Sequence, residues 1–146
     1  DLSELKDIYT VESTDDDIDN KTVKVKFKEA LPPLRHNQFV FENITYNPEL
    51  TISGCTFNAI PTRAILCTTD RPSKIFDNKF KNINMPDIYI SCDCNHWYES
   101  GPCRNLEIFN NIFSKKDSVK IEPISVNKPV KDVHRNIKIY DNKIGE

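Results

Sequence analysis

The residues best suited to chemistry lie in one short stretch, DCNHWYESGP, at positions 93–102. It combines two carboxylates, Asp93 and Glu99, with the aromatic ring of Trp97. Two carboxyl groups can cleave a glycosidic bond, because one protonates the leaving oxygen while the other activates water or attacks the sugar. An aromatic face packs well on the apolar side of a sugar ring. The stretch therefore predicts a carbohydrate-active site.

A repeat marks the elements that must position this stretch. Four segments read Ile-x-x-(Asn or Cys)-x-(Phe or Ile): ISGCTF (52–57), IFDNKF (75–80), IFNNIF (108–113) and IYDNKI (139–144). Their leading isoleucines are spaced by 23, 33 and 31 residues. Such periods are typical of solenoids, in which one supersecondary unit stacks on the next. Because Asn tolerates left-handed backbone dihedrals, we expect the Asn or Cys position at a bend between two inward-pointing apolar residues.

A second series of strands keeps the same offsets. RAILCTTD (63–70) aligns with PDIYISCD (86–93) at an offset of 23, and SVKIEP (118–123) aligns with DIYISC (87–92) at an offset of 31. A helical chain is disfavoured because apolar residues do not recur at helical spacing, and an antiparallel sandwich has no reason to keep equal offsets. We therefore predict an all-β fold, with a right-handed parallel β-helix over residues 36–146.

The first 35 residues have a different character. Residues 1–20 carry eight acidic residues and one Lys. In TVKVKF (22–27), Val and Phe alternate with Lys, a period typical of a half-buried strand at an antiparallel edge. We predict that residues 1–35 form an N-terminal β segment or linker, and one interpretation is the end of an inserted β domain.

The offsets also predict which polar groups converge. They place Asp70 next to Asp93 and Ser91 next to Glu122, on strands separated by about 4.8 Å. We therefore expect Asp70, Asp93 and Glu122 at one strand end, where the 93–102 stretch leaves the repeat.

Composition excludes few function classes. The net charge of −2 gives no electrostatic reason to expect nucleic-acid binding, and no apolar run is long enough to span a membrane. Five cysteines allow at most two disulfides, and we expect Cys55 and Cys67 to be small buried residues. A metal site can be imagined, but its spacing does not fit zinc fingers; its ligands would be Cys92, Cys94, His96 and Cys103. The chain does not begin with Met, which we interpret as a piece of a longer protein.

Several of these segments together resemble one enzyme family. PTRAILCTT (61–69), IFDNKF and IYISCDCNHWYESGPCRNLEIFNNIF (88–113) are similar to the α-1,3-galactosidases of glycoside hydrolase family 110. The resemblance extends over residues 31–123, and its most specific element is Asp-x-x-x-Trp-Tyr-Glu-Ser-Gly at 93–101.

The resemblance implies an inverting exo-enzyme that removes terminal α-1,3-linked galactose from an oligosaccharide or glycoconjugate, with no metal and no other cofactor. It implies Asp93 and Glu99 as the acid/base pair, with the two roles unassigned, and a substrate site that includes Arg63 and Trp97. Further substrate-binding candidates are Asp70, Asp87 and Glu122. A secreted, periplasmic or cell-surface location is also implied, and a homodimer is left open.

Departures from the family pattern leave alternatives. Arg63-Ala64 replaces part of an Ala-Arg-Gly sequence, and Cys92 stands where Gly is usual. A non-catalytic carbohydrate-binding or structural β-helix would bury Trp97 and pair Glu99 with Arg104. A lyase acting on acidic polysaccharides would need more Arg and Lys near the cleft than this chain supplies.

Overall fold

The computed structural model of the chain describes residues 7–35, 39–92, 101–123 and 133–145. Within these ranges the regular structure consists of β-strands and one 3-10 turn, Ile44–Tyr46. The predicted all-β class is therefore confirmed. The chain divides into two compact units, one within Glu4–Val40 and one from Phe41 onward.

The first unit contains an antiparallel pair of strands, β1 (Val11–Asp17) and β2 (Thr22–Phe27). Opposite charges face each other across it, since Asp15 pairs with Lys24 in register. The predicted antiparallel character is confirmed. The predicted half-burial is wrong, because Val23 and Val25 of β2 are 58% and 40% exposed within the described residues.

The second unit is built from three parallel sheets; within the described residues, the first three repeats each contribute one strand to every sheet, and the fourth repeat contributes strands to two of them. Sheet 1 contains β3 (Thr51–Ser53), β6 (Ser73–Phe76), β9 (Arg104–Phe109) and β12 (Arg135–Tyr140). Sheet 2 contains β4 (Thr56–Ile60), β7 (Lys79–Ile83), β10 (Ile112–Phe113) and β13 (Lys143–Ile144). Sheet 3 contains β5 (Ile65–Cys67), β8 (Ile88–Cys92) and β11 (Val119–Pro123).

The strand register follows the isoleucine repeat. Ile75 pairs with Ile52 on one side and Ile108 on the other, and Ile108 pairs in turn with Ile139. In the second series, Ile65 pairs with Ile88. Both predicted offsets are confirmed, and this architecture is compatible with a β-helix.

Apolar side chains of the three sheets form one core. Ile75, Ile88, Ile90 and Ile108 are completely buried, and each such side chain contributes about 1.5–3 kcal/mol relative to an exposed one. Cys67 is buried, as predicted. Cys55 is exposed, so the prediction that it is buried is wrong. The physical reason is its position beside β3 and β4, which are edge strands of their sheets.

Between sheets 1 and 2 runs an asparagine ladder, defined here as Asn78, Asn111 and Asn142. Asn78 Nδ2 donates to Asn111 Oδ1 over 3.1 Å, and Asn111 Nδ2 donates to Asn142 Oδ1 over 2.9 Å. The amides also satisfy main-chain groups: Asn111 Nδ2 donates to the Ile75 carbonyl over 2.9 Å. Each amide of the ladder thus finds a hydrogen-bond partner in a neighbouring repeat.

At each bend, the residue with a left-handed backbone conformation comes immediately before the Asn or Cys position of the repeat. Its φ is 66° at Gly54, 55° at Asp77, 54° at Asn110 and 53° at Asp141. The expectation that the repeated Asn itself bends the chain is therefore wrong. Its amide is needed inside for hydrogen bonding, so a neighbouring small polar residue or Gly adopts the strained conformation.

Candidate functional site

The outward face of sheet 3 carries a connected group of polar side chains. Alternation along β8 buries Ile88 and Ile90 and directs Tyr89 to the opposite face. The Arg63 guanidinium carbon lies 5.9 Å from the centroid of the Tyr89 ring, within cation–π range. The Tyr89 hydroxyl donates to Glu122 Oε2 over 2.8 Å. With Lys120, these residues form the Tyr89 cluster.

Glu122 lies where the sequence predicted it, opposite Ser91 in the pairing of β11 with β8. Lys120 Nζ is 2.8 Å from Glu122 Oε2. The hydrogen bonds from Lys120 and Tyr89 lower the pKa of the Glu122 carboxyl below its ordinary value of 4.5. Glu122 is therefore suited to accept hydrogen bonds as an anion and unsuited to act as a proton donor at neutral pH.

Tyr89 stays in its protonated, hydrogen-bond-donating form. Desolvation is the largest cause that raises the pKa of its phenol, and the Glu122 carboxylate raises it further. Sequence reasoning missed Tyr89 as a site residue. Its signal was present, since Tyr89 is the outward residue of the strand DIYISC and pairs in register with Leu66 on one side and Lys120 on the other.

Asp70 lies in a second polar group, beyond the carboxyl end of β5. Asn47 Nδ2 donates to Asp70 Oδ1 over 3.0 Å and to Glu42 Oε1 over 2.9 Å. Gly101 adopts a φ of +116°, and a Cβ atom there would collide with Glu42 Oε1. Asp70 and Glu42 therefore share one amide, and Glu42 lies against the first described residue after position 100.

Sequence reasoning also missed Glu42 and Asn47. The signal for Asn47 is its separation of 23 residues from Asp70, which is the spacing of the first two repeats. Glu42 precedes the first repeat copy, so no offset pointed to it.

Asp87 is placed differently from the other candidates. It is 0% exposed, at the turn before β8, and its carboxylate lies 3.5 Å from Lys115 Nζ. Lys115 Nζ also donates to the carbonyls of Ile83 and Met85. This buried ion pair favours a structural contribution from Asp87, and its substrate-binding role stays a prediction.

The predicted acid/base pair, Asp93 and Glu99, and the predicted stacking residue Trp97 lie outside the described residues, as do Cys94 and His96. Sheet 3 still locates their point of attachment, because β8 ends at Cys92. In the part of the chain that the structure describes, no three His, Cys, Asp or Glu side chains are grouped to hold a metal ion. Nor does that part contain a helix long and apolar enough to cross a membrane.

The described groups have complementary chemistry. Arg63 offers fixed guanidinium donors, whereas Glu122 and Asp70 offer carboxylate acceptors. Donors and acceptors of this kind recognise a polyhydroxylated ligand through its hydroxyl groups.

No protein-family profile matches the sequence. Curated proteins do match it. The chain is 42% identical to alpha-1,3-galactosidase A of Peterkaempfera griseoplana, over 88% of this chain and 19% of that protein. It is 39% identical to alpha-1,3-galactosidase A of Streptomyces avermitilis, over 83% of this chain and 20% of that protein. It is 33% identical to alpha-1,3-galactosidase A of Akkermansia muciniphila, over 86% of this chain and 21% of that protein.

The chain thus spans 19–21% of the length of these relatives. Because the match covers 88% of the 146 residues, positions 93–101 fall within its span. The same three relatives share one named activity, although they come from different genera. The sequence is therefore similar to a segment of the alpha-1,3-galactosidases, in agreement with its resemblance to glycoside hydrolase family 110.

Proposed function

We propose that this chain is part of a glycoside hydrolase that removes terminal α-1,3-linked galactose from oligosaccharides or glycoconjugates. The observation that carries the proposal is the 42% identity to an alpha-1,3-galactosidase A over 88% of the chain. The polar groups of the described residues support it, because they supply both donors and acceptors for sugar hydroxyls.

The proposed mechanism is inverting and uses Asp93 and Glu99 as the acid/base pair. One carboxyl group protonates the leaving glycosidic oxygen while the other activates a water molecule on the opposite face of the sugar. This geometry requires the two carboxyl groups to lie about 6.5–9.5 Å apart, so that water fits between them. Trp97 stacks on the galactose ring.

Arg63, Asp70 and Glu122 then hold the hydroxyl groups of the substrate. The lowered pKa of Glu122 supports an acceptor role, because a carboxylate that stays ionised binds a hydroxyl more strongly than a neutral acid does. Asp70 already accepts from Asn47 through Oδ1 and can accept from a ligand as well.

The scaffold in this proposal is a right-handed parallel β-helix made by the three sheets. Continuous parallel register from Ile52 to Ile139 and the asparagine ladder support it. In such a scaffold the residues after β8 leave at a defined strand end, beside Glu122.

The test uses the intact enzyme and an aryl α-galactoside. Asp93→Asn and Glu99→Gln should each lower kcat by about 10²–10⁴-fold, because each removes one proton-transfer group. Asp15→Asn, in the exposed hairpin, is the matched control and should retain the wild-type rate. Melting temperatures of all three variants should equal that of the wild type.

Three results would contradict the proposal or its mechanism. Near-native rates in both carboxylate variants would remove the acid/base assignment, and galactoside binding without turnover by the wild-type enzyme would favour a binding module. The first sugar released should be β-galactose by NMR, whereas α-galactose would exclude inversion.

A further inference from the structure

Two thiols meet in the core of the second unit. The Sγ atoms of Cys67 and Cys103 are 3.6 Å apart, and the two residues are 2% and 0% exposed. Cys67 ends β5, whereas Cys103 immediately precedes β9. The thiols therefore belong to neighbouring repeats. Their contact brings the end of a strand of sheet 3 next to the start of a strand of sheet 1.

The backbone holds Cys103 firmly at this position. Its N–H donates to His134 Nδ1 over 3.0 Å, on the side of the following repeat. The next residue, Arg104, donates its N–H to the Thr69 carbonyl over 3.1 Å, two residues beyond Cys67. Hydrogen bonds on both sides thus fix the strand that brings Cys103 to Cys67.

This arrangement meets the main requirement for a disulfide. The sulfur atoms are in contact already, and a small side-chain rotation brings them to the bond length of about 2.05 Å.

We propose that Cys67 and Cys103 are a redox modification site, at which oxidation forms a disulfide between β5 and the residue preceding β9. The link closes a loop between residues separated by 36 positions in the sequence, and this loop includes β8 and positions 93–100. The proposal does not depend on the catalytic proposal, because it concerns the core and not the sugar site.

The chemistry balances with a disulfide oxidant such as glutathione disulfide. The Cys67 thiolate attacks one glutathione sulfur, forming a mixed disulfide and releasing one glutathione thiolate. Cys103 then loses its proton, attacks Cys67 Sγ and releases the second glutathione. The two protein thiols are oxidised, and one glutathione disulfide is reduced to two glutathione molecules.

The close contact of the two thiols favours one thiolate in the pair. The hydrogen bond between them lowers the pKa of Cys67, and the same contact together with burial raises the pKa of Cys103. Because the thiolate is the attacking species, Cys67 starts the exchange and Cys103 completes it.

The experiment equilibrates the native protein with glutathione disulfide, quenches it with acid, denatures it and alkylates the remaining thiols. Combined digestion with trypsin and chymotrypsin separates the cysteines, since Trp97 and Tyr98 divide Cys94 from Cys103. Mass spectrometry should find a fragment within residues 64–74 linked to ESGPCR (99–104), lighter than the two thiol fragments by two hydrogen atoms.

Matched variants control the assignment. Cys67→Ala should abolish the link, whereas Cys92→Ala should keep it, although Cys92 is equally buried at 2%. The oxidised wild type should also melt at a higher temperature than the reduced form, because the link restricts the unfolded chain.

Three results would overturn the proposal. They are full alkylation of both thiols after oxidation, a stable glutathione adduct at Cys67 without the link, and a link from Cys103 to Cys92 or Cys94. All three are measured on the wild-type protein, so the test does not depend on whether a variant folds.

Discussion

Glu122 receives hydrogen bonds from two donors of different origin. Lys120 precedes it by two residues in the same strand, whereas Tyr89 comes from the adjacent strand β8. The stacked position of Tyr89 beside Arg63 links three repeats through side chains alone. The Glu122 carboxylate therefore links its own strand, β11, to the neighbouring strand β8, and this coupling depends on its negative charge.

This coupling predicts a pH-dependent contribution to stability. The folded-state pKa of Glu122 is lowered, so its contribution is present above the unfolded value near 4.5 and is lost as the pH falls through the folded-state pKa. Urea unfolding of Glu122→Gln should therefore show a deficit of less than about 1 kcal/mol at neutral pH, since solvent screens the group. The deficit should vanish at acidic pH.

In a Lys120→Met background, the deficit caused by Glu122→Gln should be smaller, because one of the two hydrogen bonds is already absent. In a Lys116→Met background, which changes another exposed lysine, the deficit should be unchanged. Parallel pH profiles for wild type and Glu122→Gln at every pH would contradict the described hydrogen bonds.

At the scale of the elements, the asparagine ladder connects the repeats at the bend between sheets 1 and 2. Asn111 is 0% exposed. Its Nδ2 donates to the carbonyls of Ile75 and Phe109 and to Asn142 Oδ1. Its Oδ1 accepts from the main-chain N–H and the Nδ2 of Asn78. The ladder is thus a polar column inside an apolar core.

Asn111→Ala should therefore lower the free energy of unfolding by at least about 3 kcal/mol. It leaves several buried donors and acceptors without partners, and each costs about 1–3 kcal/mol. Asn58→Ala removes only an exposed bond from Asn82 and should cost less than about 0.5 kcal/mol. Urea unfolding measures both, and similar losses in the two variants would contradict the role assigned to the ladder.

At the scale of the whole chain, the two units differ in how much they bury. Within the described residues, the first unit presents exposed apolar side chains such as Ile18, at 86%, whereas Ile75 and Ile108 of the second unit are completely buried. Burial and hydrogen bonding set local opening free energies, so the first unit should open more easily than the second.

Hydrogen exchange followed by mass spectrometry should reveal this difference. Peptides covering β6 and β9 should exchange most slowly, and peptides covering β1 and β2 should exchange many times faster after correction for intrinsic rates. Equal protection of the hairpin and of sheet 1 would show that the hairpin has a stabilising partner.

The sequence predicted the parallel register well because identical apolar residues must stack in the core at every repeat. It placed Glu122 beside Ser91 for the same reason. It misjudged the bend, because Asn favours both left-handed backbone and buried amide hydrogen bonds, and only the fold decides between them. Glu42 was not predictable, because it precedes the first repeat copy and no repeat offset points to it, although it contacts Asn47.

The strand pairings on either side of positions 93–100 show where the repeats differ in length. Cys67 pairs with Ile90 at an offset of 23, whereas Phe76 pairs with Phe109 at an offset of 33. All the additional residues therefore fall between β8 and β9, and the strands on both sides keep their alignment. Under the proposed function, loop exchange at this single junction would change the residues offered to the glycan while leaving the scaffold unchanged.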